Sequence, residues 1–238
     1  MRQGYYLPNP EFHYFLSNLF LSGPSREFVS DLWNGTFPAF PDSFPGNDDL
    51  REGHGLLITL KDHFEKEDDF YQAFQDEFTR LFLAPVKVYP YQSVYLDTVS
   101  IGGVQMSGLM MGESAERVRD SYSEYGFGKT VNLPEDHISF ELAFLGRLYS
   151  LHENTGDGAY LAAARNFLEE HLIRWVPRFC DDLYDEADLY KPVAKILKGL
   201  VLYEYEALML QSDQLKDLYV RQGTEGIELN LIKRGVKR

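Results

Sequence analysis

Leu133-Pro134-Glu135-Asp136-His137 runs straight into a segment from Ile138 to about Glu153 whose apolar residues, Ile138, Leu142, Leu145 and Leu148 or Tyr149, recur at helical spacing. The proline suits a helix entry, and the two acids sit where backbone N–H groups are unsatisfied and negative charge is favoured. This is the best-defined helix of the chain. Its reading sets the fold class, because the same periodicity recurs along most of the sequence.

Working outward, Phe12, Phe15, Leu16 and Leu19 predict a first helix over Pro8 to Leu21, ended by Gly23 and Pro24. Ser25 is placed to cap a short helix carrying Phe28, Val29 and Leu32. Gly35 to Gly46, with three prolines and several aromatics, reads as an ordered loop, its aromatics packed over the core edge in preference to forming a binding surface. Leu50, Leu57, Leu60 and Phe64 predict the next helix, and Phe70, Phe74, Phe78, Leu81 and Phe82 another, stopped by Ala84 and Pro85. Val86 to Met106, with its prolines, a Gly102-Gly103 pair and a run of β-branched residues, reads as a long connector with a short helical turn, a β-hairpin being the alternative. Ser114 is expected to cap a helix through Tyr125, with Val118, Tyr122 and Tyr125 on one face. Tyr160 to Trp175 forms a further helix that Pro177 should break, and a last one follows Ala187 with Pro192 in its first turn. The expectation is an all-α fold, a single-domain bundle of about eight to ten helices over residues 1–238, without internal repeats.

Of 238 residues, 44% are apolar, which is ample for a core. The 23 basic and 37 acidic side chains give a net charge of −14, which disfavours nucleic acid and favours cationic partners. Residues 233–238 hold four basic side chains and read as a solvated, flexible tail. The single cysteine, Cys180, allows neither an intrachain disulfide nor a cysteine-built zinc site and fits a reducing compartment. The N-terminus carries no apolar run of signal-peptide length, and nothing later approaches a membrane span. A cytoplasmic protein without stable membrane insertion is expected.

Enzymatic chemistry finds little support in the motifs. His137 and Glu141 form an i, i+4 pair, which is too few ligands for a metal, and no cofactor is expected. Acid-base work by Asp136 and His137 is chemically conceivable. Gly126-Phe127-Gly128-Lys129-Thr130 lacks the leading glycine of a phosphate loop and reads as a turn. Binding has more to work with. The corner at Pro134 can carry Glu135 and Asp136 to a groove mouth that takes arginine, while Tyr91, Tyr95, Met106, Met110 and Met111 can line an adaptable apolar wall. The plainer alternative makes Asp136 a helix cap and the methionines core.

Four pieces occur in order over about residues 70 to 155: Glu77-Phe78-Thr79-Arg80-Leu81-Phe82-Leu83-Ala84-Pro85, then Tyr89-Pro90-Tyr91-Gln92-Ser93-Val94-Tyr95-Leu96, a helix over Val118 to Gly126, and Pro134-Glu135-Asp136-His137 followed by Glu141 and Leu142. In this order they resemble the TorD/DmsD/NarJ family of cytoplasmic chaperones for complex iron–sulfur molybdoenzymes, many of whose members have glycine in place of Ala84. The resemblance implies an all-helical TorD-type bundle and no catalysis. It implies a client, the apoprotein of a molybdopterin oxidoreductase, held until cofactor insertion and in many members recognised by its basic twin-arginine leader. It places Tyr91, Ser93, Tyr95, Pro134, Glu135, Asp136, His137 and Glu141 in or beside the peptide-binding groove. Some relatives instead bind the mature region of a nitrate-reductase-like enzyme. A monomer or a domain-swapped dimer is compatible with the pattern. The part up to about Phe64 and the basic tail carry no matching motif.

Overall fold

The computed structural model describes residues 9–37, 47–83, 85–129 and 131–222. The expectations for residues 38–46 of the aromatic loop, for Ala84, Thr130, the N-terminal eight residues and the basic tail lie outside them.

Asn9 opens α1 (Pro10–Ser22) by accepting from the N–H groups of Glu11 and Phe12, and Gly23, at φ 80°, ends it. Ser25 caps α2 (Arg26–Asn34) as expected, its Oγ accepting from Phe28 N at 3.1 Å. α3 (Asp48–Thr59) runs on as a 3₁₀ turn to His63, and α4 (Glu67–Phe82) buries all five of its predicted apolar residues. The connector contains both predicted alternatives: α5 (Gln92–Leu96), then a hairpin of β1 (Thr98–Ile101) and β2 (Val104–Ser107) paired Thr98 to Ser107 and Ile101 to Val104. Gly102 and Gly103, both at positive φ, form its turn. Met106, Met110 and Met111 lie exposed on and after this hairpin and are not core.

α6 (Glu113–Glu124) follows, then α7 (Ile138–Thr155), α8 (Ala159–Phe167), a π-helical turn (Leu168–Leu172), α9 (Ile173–Glu186) and α10 (Lys191–Gln222). Two expectations need correction. Ser114 lies inside α6, not before it, and the helix is opened from a distance by Asp97, whose Oδ2 accepts from Ser114 N at 2.9 Å and whose Oδ1 accepts from Ser114 Oγ at 2.5 Å. Pro177 does not break its helix. It sits within α9, which continues because Trp175, Val176, Phe179, Cys180 and Leu183 are all buried, so packing outweighs one lost backbone bond.

α7 is buried nearly all round and forms the centre, with α1 and α8 against it and α10 packed on α3 and α9. The approach of α3 to α10 depends on missing side chains. A Cβ on Gly53 would stand 2.9 Å from Pro192 O, and one on Gly199 would stand 2.8 Å from Leu50 N. One polar group ties three helices together inside the core: Glu204 on α10 accepts from Tyr149 of α7 and pairs with His13 of α1, both at 3.0 Å. Burial works against charge on His13, but Glu204 outweighs it and raises the imidazole pKa.

Candidate functional site

The corner before α7 and the segment entering α5 lie antiparallel. Ile138 N donates to Pro90 O at 2.9 Å, Gln92 N donates to Asp136 O at 3.0 Å, and the rings of Tyr91 and His137 meet edge to face at 4.9 Å. The two sequence stretches singled out above thus form one site. Its parts divide into a buried base and an exposed rim.

Asp136 is fully buried and caps α5 rather than its own helix, its Oδ2 accepting from Ser93 N at 2.7 Å. His137 caps α7: its Nδ1 accepts from Ser139 N at 3.2 Å and is bonded to Ser139 Oγ at 2.6 Å. An Nδ1 that accepts a backbone proton belongs to a neutral imidazole, and burial accordingly pushes the His137 pKa down to about 4. Glu141, also fully buried, accepts from Trp175 Nε1 at 3.2 Å through Oε2. Burial, with Asp136 nearby, raises the Glu141 pKa well above the carboxylate range. His171 of the π turn bonds Gln92 Oε1 at 3.1 Å, and burial lowers its pKa to about 4. Gln92 Nε2, Ser93 Oγ, Asp136 Oδ1 and Glu141 Oε1 have no hydrogen-bond partner among the described residues.

The rim is different. Pro134 and Glu135 are half-buried; Glu135 pairs with Lys129 at 2.9 Å, which outweighs burial and lowers its pKa, and its carbonyl accepts from Tyr122 at 3.0 Å. Tyr91 at the entry to α5 and Tyr95 within it are half-buried and reach the surface, whereas Ser93 is buried. Of the eight predicted residues, Ser93, Asp136, His137 and Glu141 therefore lie inside and Tyr91, Tyr95, Pro134 and Glu135 at the surface.

Beside Tyr95 opens a cleft of about 470 Å³ between α5, the end of β2 and α9, with Tyr89, Val94 and Tyr95 on one side and Asp182, Asp185 and Glu186 on the other. Arg178 and Lys87 also reach it, and the Arg178 guanidinium lies 5.7 Å from the Tyr95 ring centre. Asp181 is paired with Lys198 at 2.6 Å and Asp188 with Lys191 at 3.8 Å, but no ion pair engages Asp182, Asp185 or Glu186 among the described residues. None of the predicted residues except Tyr95 lies on this face, although the five acids between Asp181 and Asp188 are its visible signal in the sequence. Gln92, His171 and Trp175 were also missed, and nothing local marks them.

Cys180 is buried, and burial raises its pKa well above the thiol range. Among the described residues no three His, Cys, Asp or Glu side chains are grouped to hold a metal, and no helix is long and apolar enough to cross a membrane.

The nitrate reductase delta subunit family matches residues 47–181, more than half of the chain. Similar proteins include the chaperone protein TorD of Aliivibrio salmonicida, 26% identical over 81% of this chain and 89% of that one, and the chaperone protein TorD of Vibrio cholerae, 24% identical over 83% and 90%. A crystal structure described as a redox enzyme maturation protein of Archaeoglobus fulgidus aligns with a TM-score of 0.47 at 22% identity, over 84% of this chain and 99% of that chain. With its all-helical fold and the four ordered sequence pieces, the chain belongs to the nitrate reductase delta subunit family, the TorD/NarJ group of redox-enzyme maturation chaperones.

Proposed function

We propose that this chain is a non-enzymatic cytoplasmic chaperone that binds the apoprotein of a molybdopterin iron–sulfur oxidoreductase, taking hold of its basic leader and keeping it from export until the cofactor is in place. Family membership supports the chaperone role, and the observation that carries the leader reading is the cleft beside Tyr95. Its aromatic side suits apolar side chains, and its three acids, none held in an ion pair among the described residues, suit arginine, which can meet a carboxylate with two parallel hydrogen bonds. The net charge of −14 has the sign needed to steer such a segment in. Arg178 already stacks over Tyr95 beside these acids, so a guanidinium fits there.

Calorimetric titration with twin-arginine leader peptides of molybdoenzymes from the same genome tests this. Binding that weakens with salt, and with replacement of Arg-Arg by Lys-Lys or Ala-Ala, is the expected result. Asp182→Asn with Asp185→Asn should weaken it about tenfold, the loss of roughly one good charged contact. Absence of binding to every leader would sink the leader reading. It would favour a second one, an assembly factor for the mature region of a nitrate-reductase-like enzyme, which the description of the matching family supports.

A further inference from the structure

The polar base under α5 holds two carboxylates and, among the described residues, no cation. Asp136 and Glu141 are both completely buried, and each has one oxygen satisfied, by Ser93 N and by Trp175 Nε1. The other oxygen of each is unpartnered, and no salt bridge reaches either group among the described residues. The polar and titratable neighbours come from every element packed around the pair. They are Tyr91 at the entry to α5, Gln92 and Ser93 on it and Asp97 just after it, Tyr122 on α6, His137 at the start of α7, His171 on the π turn and Trp175 on α9. None supplies a positive charge: His137 accepts through Nδ1 and is neutral, and Arg117 and Arg174 act on His171, itself shifted toward the neutral form. Two bare charges in such a place would repel at close range without compensation.

We propose that Glu141 is a positioning residue that works as a neutral acid, its carboxyl proton directed from Oε1 toward Asp136 Oδ1, directly or through one buried water. The pair then holds one proton and one negative charge. That charge stays on Asp136, which caps α5, and the proton links α7 to the cap while Oε2 keeps its bond to α9. Tyr91 stands at the entry to α5 and Tyr95 within it, so the shared proton fixes the surface assigned above to the client. Loss of the proton puts a second charge beside Asp136 and loosens α5. The fold binds more protons here than the unfolded chain, so stability falls as pH rises above the ordinary glutamate value of about 4.3 toward the raised value in the fold. The protonation claim stands independently of the leader reading; only the consequence for binding rests on it.

The test uses the full-length chain with ¹³C-labelled glutamate. Carboxyl NMR or infrared spectra at pH 7 should contain one neutral carboxylic acid signal that is absent in Glu141→Gln. Glu141→Gln keeps a hydrogen-bonding group of the same shape and should bind leader within about twofold of the wild type, with the pH dependence at alkaline pH flattened; Glu141→Ala, which leaves the Trp175 N–H unpaired, should lose about tenfold. Finding every glutamate ionised at pH 7 would overturn the proposal, as would a Glu141→Gln variant whose pH profile matches the wild type. If no leader binds the wild type, the spectra still decide the protonation of Glu141, and the failure falls on the proposed function alone.

Discussion

Two buried carboxylates, Glu77 on α4 and Asp136 before α7, each reach across the chain to backbone N–H groups that open another helix. Glu77 accepts from Asp188 N at 2.6 Å, Leu189 N at 2.5 Å and Tyr190 N at 2.9 Å, immediately before α10, and from Arg80 at 3.0 Å. Both of its oxygens are used. Asp136 accepts from one backbone N–H in the first turn of α5, and its Oδ1 has no backbone or cationic partner among the described residues, only the proton proposed on Glu141. A fully bonded buried carboxylate stabilises and fixes a junction, while a half-bonded one costs desolvation without full return. The Glu77 junction therefore reads as architecture. The Asp136 junction gives up stability at the place where α5 displays Tyr91 and Tyr95, which is where a client surface would be held.

The largest expected effect is at the architectural end. Glu77→Ala leaves three backbone N–H groups without their acceptor and should cost about 3 to 4 kcal/mol in urea unfolding. Asp136→Ala removes one such bond and the acceptor proposed for the Glu141 proton, against three backbone bonds at Glu77, so it should cost less, about 1 to 2 kcal/mol. If Asp136→Ala proves the more damaging, the contrast between the two junctions is wrong.

A smaller effect appears on acidification. In the fold His137 and His171 take up protons near pH 4, whereas a free histidine does so near 6.5. The unfolded chain therefore binds more protons between these values, and stability is lost as pH falls from about 6.5 to 4. Asp136 and Glu141, both shifted upward mainly by burial, act in the opposite sense as pH falls toward the ordinary carboxylate range. Replacing His171 with Gln removes one of the two histidine contributions and should make the protein about 1 kcal/mol less sensitive between pH 6.5 and 5, measured by denaturation at each pH. An unchanged slope would mean that His171 is not the neutral partner of Gln92.

These junctions also separate what could be read from the sequence from what could not. Periodicity located α4 and α7, and Ser25 located the start of α2, because each signal lies within a turn or two of what it specifies. The caps of α5, α6 and α10 come instead from Asp136, Asp97 and Glu77, which lie 43, 17 and more than 100 residues from the N–H groups they bind. A local reading gave α6 to Ser114 for that reason. It likewise gave the helix end to Pro177, because only the burial of Trp175 and Phe179 reveals why α9 continues. At the candidate site the sequence brought Tyr91 and His137 into the same hypothesis, and their rings do meet. It could not tell that Asp136 and Glu141 face inward, since acids at a helix start look alike whether they meet solvent or the core.

Arg80 provides the finest test of the contrast, and the smallest effect. It forms the one ion pair of Glu77 among the described residues, but its side chain is 44% exposed and it also donates to Glu186 O at 2.9 Å. A partly exposed pair of this kind contributes little, because water already screens the charges and the long side chain loses freedom on bonding. Arg80→Ala should therefore cost under about 1 kcal/mol, far less than Glu77→Ala. What holds the buried carboxylate in place decides the outcome. If backbone N–H groups do, removing the cation leaves three bonds intact and α10 still opens where it should. If the two variants prove equally damaging, Glu77 is anchored by Arg80 after all, and the junction opposite Asp136 is an ion pair with incidental backbone contacts.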